Sequence, residues 1–217
     1  MFPAPSNTVQ GVDLAMLIIV GTGVILLLGI TATMIYFVFK YNRKKGHKPE
    51  DIHGSMLLEA IWIAIPTLLV LGMFYFGYAG FEEIRNVPDN AFVINVNAKM
   101  WEWDFKYKNG KETDTLYVPV NTPIKLDMIS LDVNHSLFIP AFRIKEDLIA
   151  SMKTYLSFTP QQVGSYDIAC AEYCGLKHSM MYTKVVVMTK EEFDNWYNEG
   201  EDVQRESVPK GQAGIGQ

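Results

Sequence analysis

Cysteine and histidine are scarce in these 217 residues, with two of the first and four of the second. No Lys or Arg precedes Lys40, and two long stretches carry no charge at all. Two cysteines close one disulfide at most, which excludes a disulfide-built scaffold. The first uncharged stretch is too long for an h-region and has no basic residue ahead of it, so it is not expected to be a signal peptide. The chain holds no C-x-x-C-H, so no fused cytochrome c domain is expected. A formal charge of −5 offers nothing to nucleic acid, which is not an expected partner.

What is present divides sharply. Leu14 to Phe39 and Ala60 to Phe81 are the uncharged runs. A helix of about 20 apolar residues crosses a hydrocarbon core, so two spans are expected, over residues 14–41 and 55–81. Both would lie in membrane lipid. The loop between them, 42–54, follows Lys40 and carries Arg43, Lys44, Lys45 and Lys48 against Glu50 and Asp51. Positive loops stay inside. The loop is therefore expected in the cytoplasm of a bacterial-type cell. Both termini, including a short exposed segment 1–13, are expected outside its plasma membrane.

The remainder has the composition of a soluble domain. "AFVINVNAKMWEWDFKY", "TLYVPVN", "IKLDMISLD", "SLFIPAFRI", "KTYLSFTP", "GSYDIAC" and "YTKVVVMT" are rich in β-branched and aromatic residues and are separated by turn formers. Such short segments predict an all-β sandwich or barrel over 88–190. A short helix, "KEEFDNWYN", and a loose tail, "VPKGQAGIGQ", are expected within 191–217.

Both cysteines fall in "ACAEYCGLKHSMM", where Cys170, Cys174 and His178 are spaced by four and Met181 follows. Gly175 and the strand-like residues ahead favour a loop over a helix face. A disulfide would leave His178 and Met181 unexplained. Zinc takes four Cys or His ligands and seldom a thioether. Thiolate, imidazole and a weak Met are the donor set of copper electron-transfer sites, and two thiolates can bridge two ions. Each copper would then need a terminal imidazole. His47 and His53 lie in the cytoplasmic loop, which leaves His135 as the exported partner of His178.

Over nearly its whole length the chain resembles subunit II of haem–copper cytochrome c oxidases. "CAEYCGLKHSMM" is similar to that family's motif C-x-E-x-C-x3-H-x2-M, and "DVNHS" to its first-histidine segment. The resemblance implies a two-helix hairpin followed by a cupredoxin-like domain. It implies a binuclear copper centre, called CuA, bridged by Cys170 and Cys174 with His135 and His178 as terminal ligands. Met181 is then a weak ligand to one copper, and the Glu172 carbonyl completes the other. The Glu172 carboxylate would reach a magnesium shared with subunit I.

In "KMWEWDFKY", Trp101 matches the family's electron-entry residue, while Trp103 suits the core. Asp132 matches a carboxylate of the donor-docking face, but Lys106 stands where many members have an acid. "LEAIWIAIP" resembles the segment whose glutamate marks a proton-channel entrance, here Glu59, with Ile63 in place of the usual Thr. "DLIASM" likewise replaces the family's usual run. The implied partners are cytochrome c, subunit I and a third subunit, and the implied reaction is oxygen reduction coupled to proton pumping. A nitric oxide reductase subunit and a membrane-anchored copper-delivery protein stay open as alternatives.

Overall fold

The computed structural model describes residues 4–46, 48, 51 and 53–199. His47 and the tail over 208–217 lie outside the described residues. The chain divides into a helical unit, Gln10–Glu83, and a second unit of Met1–Val9 with Ile84–Gln217.

The helical unit holds most of α1 (Thr8–Lys40) and α2 (Met56–Arg85). At about 1.5 Å per residue both exceed the roughly 30 Å of a hydrocarbon core. Their apolar windows are uncovered by other residues, as a lipid-facing helix requires. Pro66 removes one backbone donor from α2, and the Thr67 hydroxyl bonds the Ile63 carbonyl beside it at 2.7 Å. The basic loop includes a 3-10 turn, Arg43–Lys45, capped by the Asn42 side chain and ended by left-handed Gly46.

Both helices overrun the expected limits. α1 begins at Thr8 rather than Leu14, and α2 ends at Arg85 rather than Phe81. Apolar runs mark membrane-crossing stretches, whereas helical hydrogen bonding continues into the polar flanks. The N-terminal segment expected to be exposed is also corrected. Ser6, Thr8 and Val9 are buried. Asn7 exchanges bonds with Thr159, donating from its backbone at 3.2 Å and accepting on its side chain at 2.8 Å. The Thr8 hydroxyl donates to the Phe142 carbonyl at 2.5 Å.

The second unit is a sandwich of two five-stranded sheets, ordered β3-β2-β1-β5-β8 and β4-β10-β9-β6-β7. The first sheet comprises β1 (Phe92–Lys99), β2 (Glu102–Lys106), β3 (Glu112–Thr113), β5 (Ile124–Ser130) and β8 (Thr154–Phe158). The second comprises β4 (Leu116–Pro119), β6 (His135–Ile139), β7 (Ile144–Leu148), β9 (Gly164–Cys170) and β10 (Tyr182–Met188). β1 pairs with β5 and β4 with β10 in parallel; the other ladders are antiparallel. Alternation fills the core: Ile94, Val96 and Ala98 point in from β1, and Ile124, Leu126 and Met128 from β5.

Two long apolar segments each fold as two strands. The first breaks at Met100–Trp101, which separates β1 from β2. The second breaks at a 3-10 turn, Pro140–Phe142, ended by Arg143 at φ 60°. The expected helix appears as α3 (Lys190–Asn198), which opens on a capping box between Thr189 and Glu192. Phe193 of α3 stands edge-on to Phe92, and Trp196 lies beside Tyr107 and Tyr117. α3 thereby closes the end of the sandwich where β1 starts.

Candidate metal centre

Three segments converge at the opposite end of β1. β9 ends at Cys170, whose N–H donates to the Met181 carbonyl at 3.1 Å. The β9–β10 ladder therefore clamps both ends of the loop 171–181. Inside it Gly175 adopts φ +116°, a conformation that suits glycine. It also packs close: a Cβ there would lie 3.5 Å from the Trp101 ring. The loop ends in a 3-10 turn, His178–Met180. β6 pairs Leu137 with Cys170, which sets His135, two residues earlier, beside the same sulfur.

The donor atoms form a short row. The Cys170 and Cys174 sulfurs are 3.7 Å apart. His135 Nδ1 lies 3.8 Å from Cys170 Sγ, and His178 Nδ1 lies 3.5 Å from Cys174 Sγ. The Met181 sulfur is 3.8 Å from Cys174 Sγ, and the Glu172 carbonyl is 3.3 Å from Cys170 Sγ. The ligand atoms of His135, Cys170 and Cys174 all fall within 4.8 Å of one another. Both cysteines and Met181 are buried, and His135 is completely so.

Electrostatics fix the tautomer of His135. Its Nε2 is 2.8 Å from Asp132 Oδ1, and an ionised carboxylate only accepts, so Nε2 carries a proton and, in the neutral ring, the Nδ1 lone pair faces the sulfurs. Burial pushes Asp132 up, but the Met100 amide, His135 and the Val133 amide outweigh it and hold the carboxyl below its ordinary value. Burial, with the neighbouring Cys170, pushes the Cys174 thiol up to about 11. Metal ligation takes the thiolate form, so a bound cation would displace the thiol protons.

The remaining candidates separate into two groups. Trp101 is half-buried beside Gly175, with the Lys177 ammonium 5.6 Å from its ring centre. Its Nε1 is buried with no hydrogen-bond partner among the described residues. Trp103 is a core residue, 6.4 Å between ring centres from His135. The Glu172 carboxylate accepts from Lys145 Nζ at 3.1 Å. Lys106 pairs with Glu112 and Asp104. Glu59 belongs to the helical unit, in the first turn of α2. The support that Asp132 gives His135 was not anticipated; a turn-forming Ser130-Leu131-Asp132 just before the histidine is the signal that could have found it.

Sulfurs 3.7 Å apart are unbonded, since a disulfide needs about 2.05 Å. Two central sulfurs with one imidazole nitrogen beyond each suit a pair of soft-to-borderline ions. The donor set fits copper. It does not fit a hard cation such as magnesium, which takes oxygen ligands; there the chain offers the Glu172 carboxylate, with a lysine already on it.

Known proteins match over both units. The family described as cytochrome c oxidase subunit II, periplasmic domain, matches residues 70–189, and its transmembrane domain matches residues 3–77. The chain belongs to the cytochrome c oxidase subunit II family. A heme-copper oxidase subunit 2 of Aeropyrum pernix is 34% identical over 212 residues, covering 88% of this chain and 91% of that protein. A cytochrome c oxidase subunit 2 of Alkalihalophilus pseudofirmus is 30% identical over 187 residues, which are 80% of this chain. The chain spans about half of that relative's length, 54%. Among solved structures, the periplasmic domain of subunit II of cytochrome oxidase from Bradyrhizobium japonicum is 26% identical. It superposes with a TM-score of 0.51, covering 54% of this chain and 99% of that one. Membership of the family implies copper in this domain and a membrane-anchored subunit of a haem–copper oxidase.

Proposed function

We propose that this chain is the electron-entry subunit of a haem–copper cytochrome c oxidase, with its β-domain on the outer side of a plasma membrane. The observation that carries the reading is the pair of buried sulfurs 3.7 Å apart, each with an imidazole nitrogen within 3.8 Å. Cys170 and Cys174 would bridge two coppers, His135 and His178 would terminate the pair, and Met181 and the Glu172 carbonyl would complete it. When bound, such a pair accepts single electrons from cytochrome c and yields them to haem in subunit I, where oxygen is reduced to water and protons are pumped.

The chain's own residues prepare this chemistry. His135 is held from behind by Asp132, and the Met181 side chain is buried against Cys174. A constrained, dry ligand set moves little when charge changes. Trp101 is the entry point: its indole packs against Gly175, in the loop that carries Cys174 and His178. The Glu172 carboxylate accepts from Lys145 Nζ, so magnesium there would draw its other ligands from subunit I. Glu59, in the first turn of α2 on the cytoplasmic side, would stand at a proton entrance, the default role for an acid in a span.

The test is the intact complex purified through this subunit. Oxygen uptake driven by reduced cytochrome c is the expected result. A complex that consumes nitric oxide and leaves oxygen untouched would overturn the oxidase reading.

A further inference from the structure

We infer that the donor docking over Trp101 presents an apolar, nearly uncharged rim and not a ring of lysines. This rests on reading the site as an electron port, and it specifies which class of redox protein uses that port.

The surface around Trp101 is continuous across three segments. The Met100 amide donates to Asp132 at 2.7 Å, which joins the β1–β2 turn to the β5–β6 turn. A Cβ at Gly175 would lie 3.6 Å from the Met100 sulfur, so the loop of the metal centre abuts the same turn. These segments expose apolar side chains: Met100 is 45% exposed, Leu131 61% and Leu176 87%. Exposed groups of this kind, grouped at one spot, mark a contact face.

The charges beside that face are spent internally. Glu102 pairs with Lys99 at 3.1 Å. Lys106 holds Glu112 at 2.7 Å and Asp104 at 3.4 Å. Asp132 is taken by His135 and the Met100 and Val133 amides. Asp114 lines the same shallow hollow as Lys106, Glu102 and Leu131. Against Glu102, Asp104, Glu112, Asp114 and Asp132, the three lysines Lys99, Lys106 and Lys177 leave two negative charges uncompensated. Long-range steering needs a net field, and two uncompensated charges beside the port supply a weak one. Lys177 goes further, because its ammonium lies over the Trp101 ring itself. A lysine-ringed donor would meet that cation at the point where its electron must cross. An apolar rim would bury Met100, Leu131 and Leu176 without opposing charge.

The experiment uses the whole oxidase complex and two reduced cytochromes c, one with a basic lysine rim and one with an uncharged apolar rim. The second-order oxidation rate is followed from about 20 mM to about 300 mM salt, a range over which screening abolishes steering between opposite charges. The expected result is a faster reaction with the apolar-rimmed probe and a change of less than about twofold across that range. A faster reaction with the basic probe, falling on the order of tenfold with salt, would overturn the proposal.

A second pair of variants guards the result. Leu131→Asp with Leu176→Asp should slow the apolar probe on the order of tenfold. Lys106→Glu with Lys177→Glu should make the basic probe faster and salt-dependent; indifference to these changes counts against the proposal. Reduction by a small uncharged mediator, followed in the copper absorption bands, separates the two levels. If the mediator reduces the centre and neither probe does, the docking proposal fails and the electron port stands. If the mediator also fails, the port itself is wrong.

Discussion

Asp132 shows how much of the site depends on a residue that binds no metal. It accepts from His135, Met100 and Val133, tying the proposed ligand His135 to the Trp101 turn. Asp132→Asn keeps the shape and removes the anion. Copper affinity is expected to fall by about 10–100-fold, the usual cost of losing such a support. Competition with a Cu(I) chelator measures it, and unchanged affinity would refute the role. Met181→Leu should retain both coppers while altering the optical spectrum, because a distant thioether tunes more than it binds. Loss of one copper would mean that Met181 is a primary ligand.

The donor types of the cluster were legible from residue chemistry: two thiols, two imidazoles and a thioether, which the fold brings together. Hydrogen bonds from a turn to a ring nitrogen were not legible, because they depend on backbone direction. The same holds for Lys145 on Glu172 and Lys177 on Trp101, where long side chains choose among several acceptors only once the loops are placed.

Among the elements, α3 depends on one capping box and three aromatic residues. Thr189→Ala removes the acceptor for the Glu192 amide and should cost about 1 kcal/mol. Thermal denaturation of the detergent-solubilised chain reads the change; an unaltered midpoint would show that the aromatic packing alone holds the helix. β7 contributes a pH response. The Asp147 carboxyl is held below its ordinary value chiefly by the Ser136 hydroxyl, with Lys145 assisting. Such a group adds stability above its unfolded pKa and loses it as pH falls through the lower folded value. Stability of the chain should therefore drop below about pH 4, and Asp147→Asn should flatten that acid limb. An identical acid limb in the variant would exclude Asp147 as its source.

At this scale periodicity told strand from helix, since the core alternation of β1 and β5 is visible in their residues. It failed where an apolar run turns a corner. Between β6 and β7 the turn Pro140–Phe142 is apolar and only Arg143 follows it, and β3 is two residues long, below what any pattern can reveal. The N-terminal segment escaped for another reason. Ser6 and Thr8 are polar, and their burial rests on partners more than 130 residues away, Pro160 across an isolated bridge and the Phe142 carbonyl.

For the whole molecule, the apolar runs, the basic loop and the sulfur-rich motif together give a membrane-anchored β-domain with a copper port. This domain is expected to hold two coppers that share one electron. The most direct measurement is copper analysis with electron paramagnetic resonance on the oxidised complex. Two coppers per chain in this subunit, with the unpaired electron coupled equally to two copper nuclei, is the predicted result. One copper per chain, or coupling to a single nucleus, would contradict it.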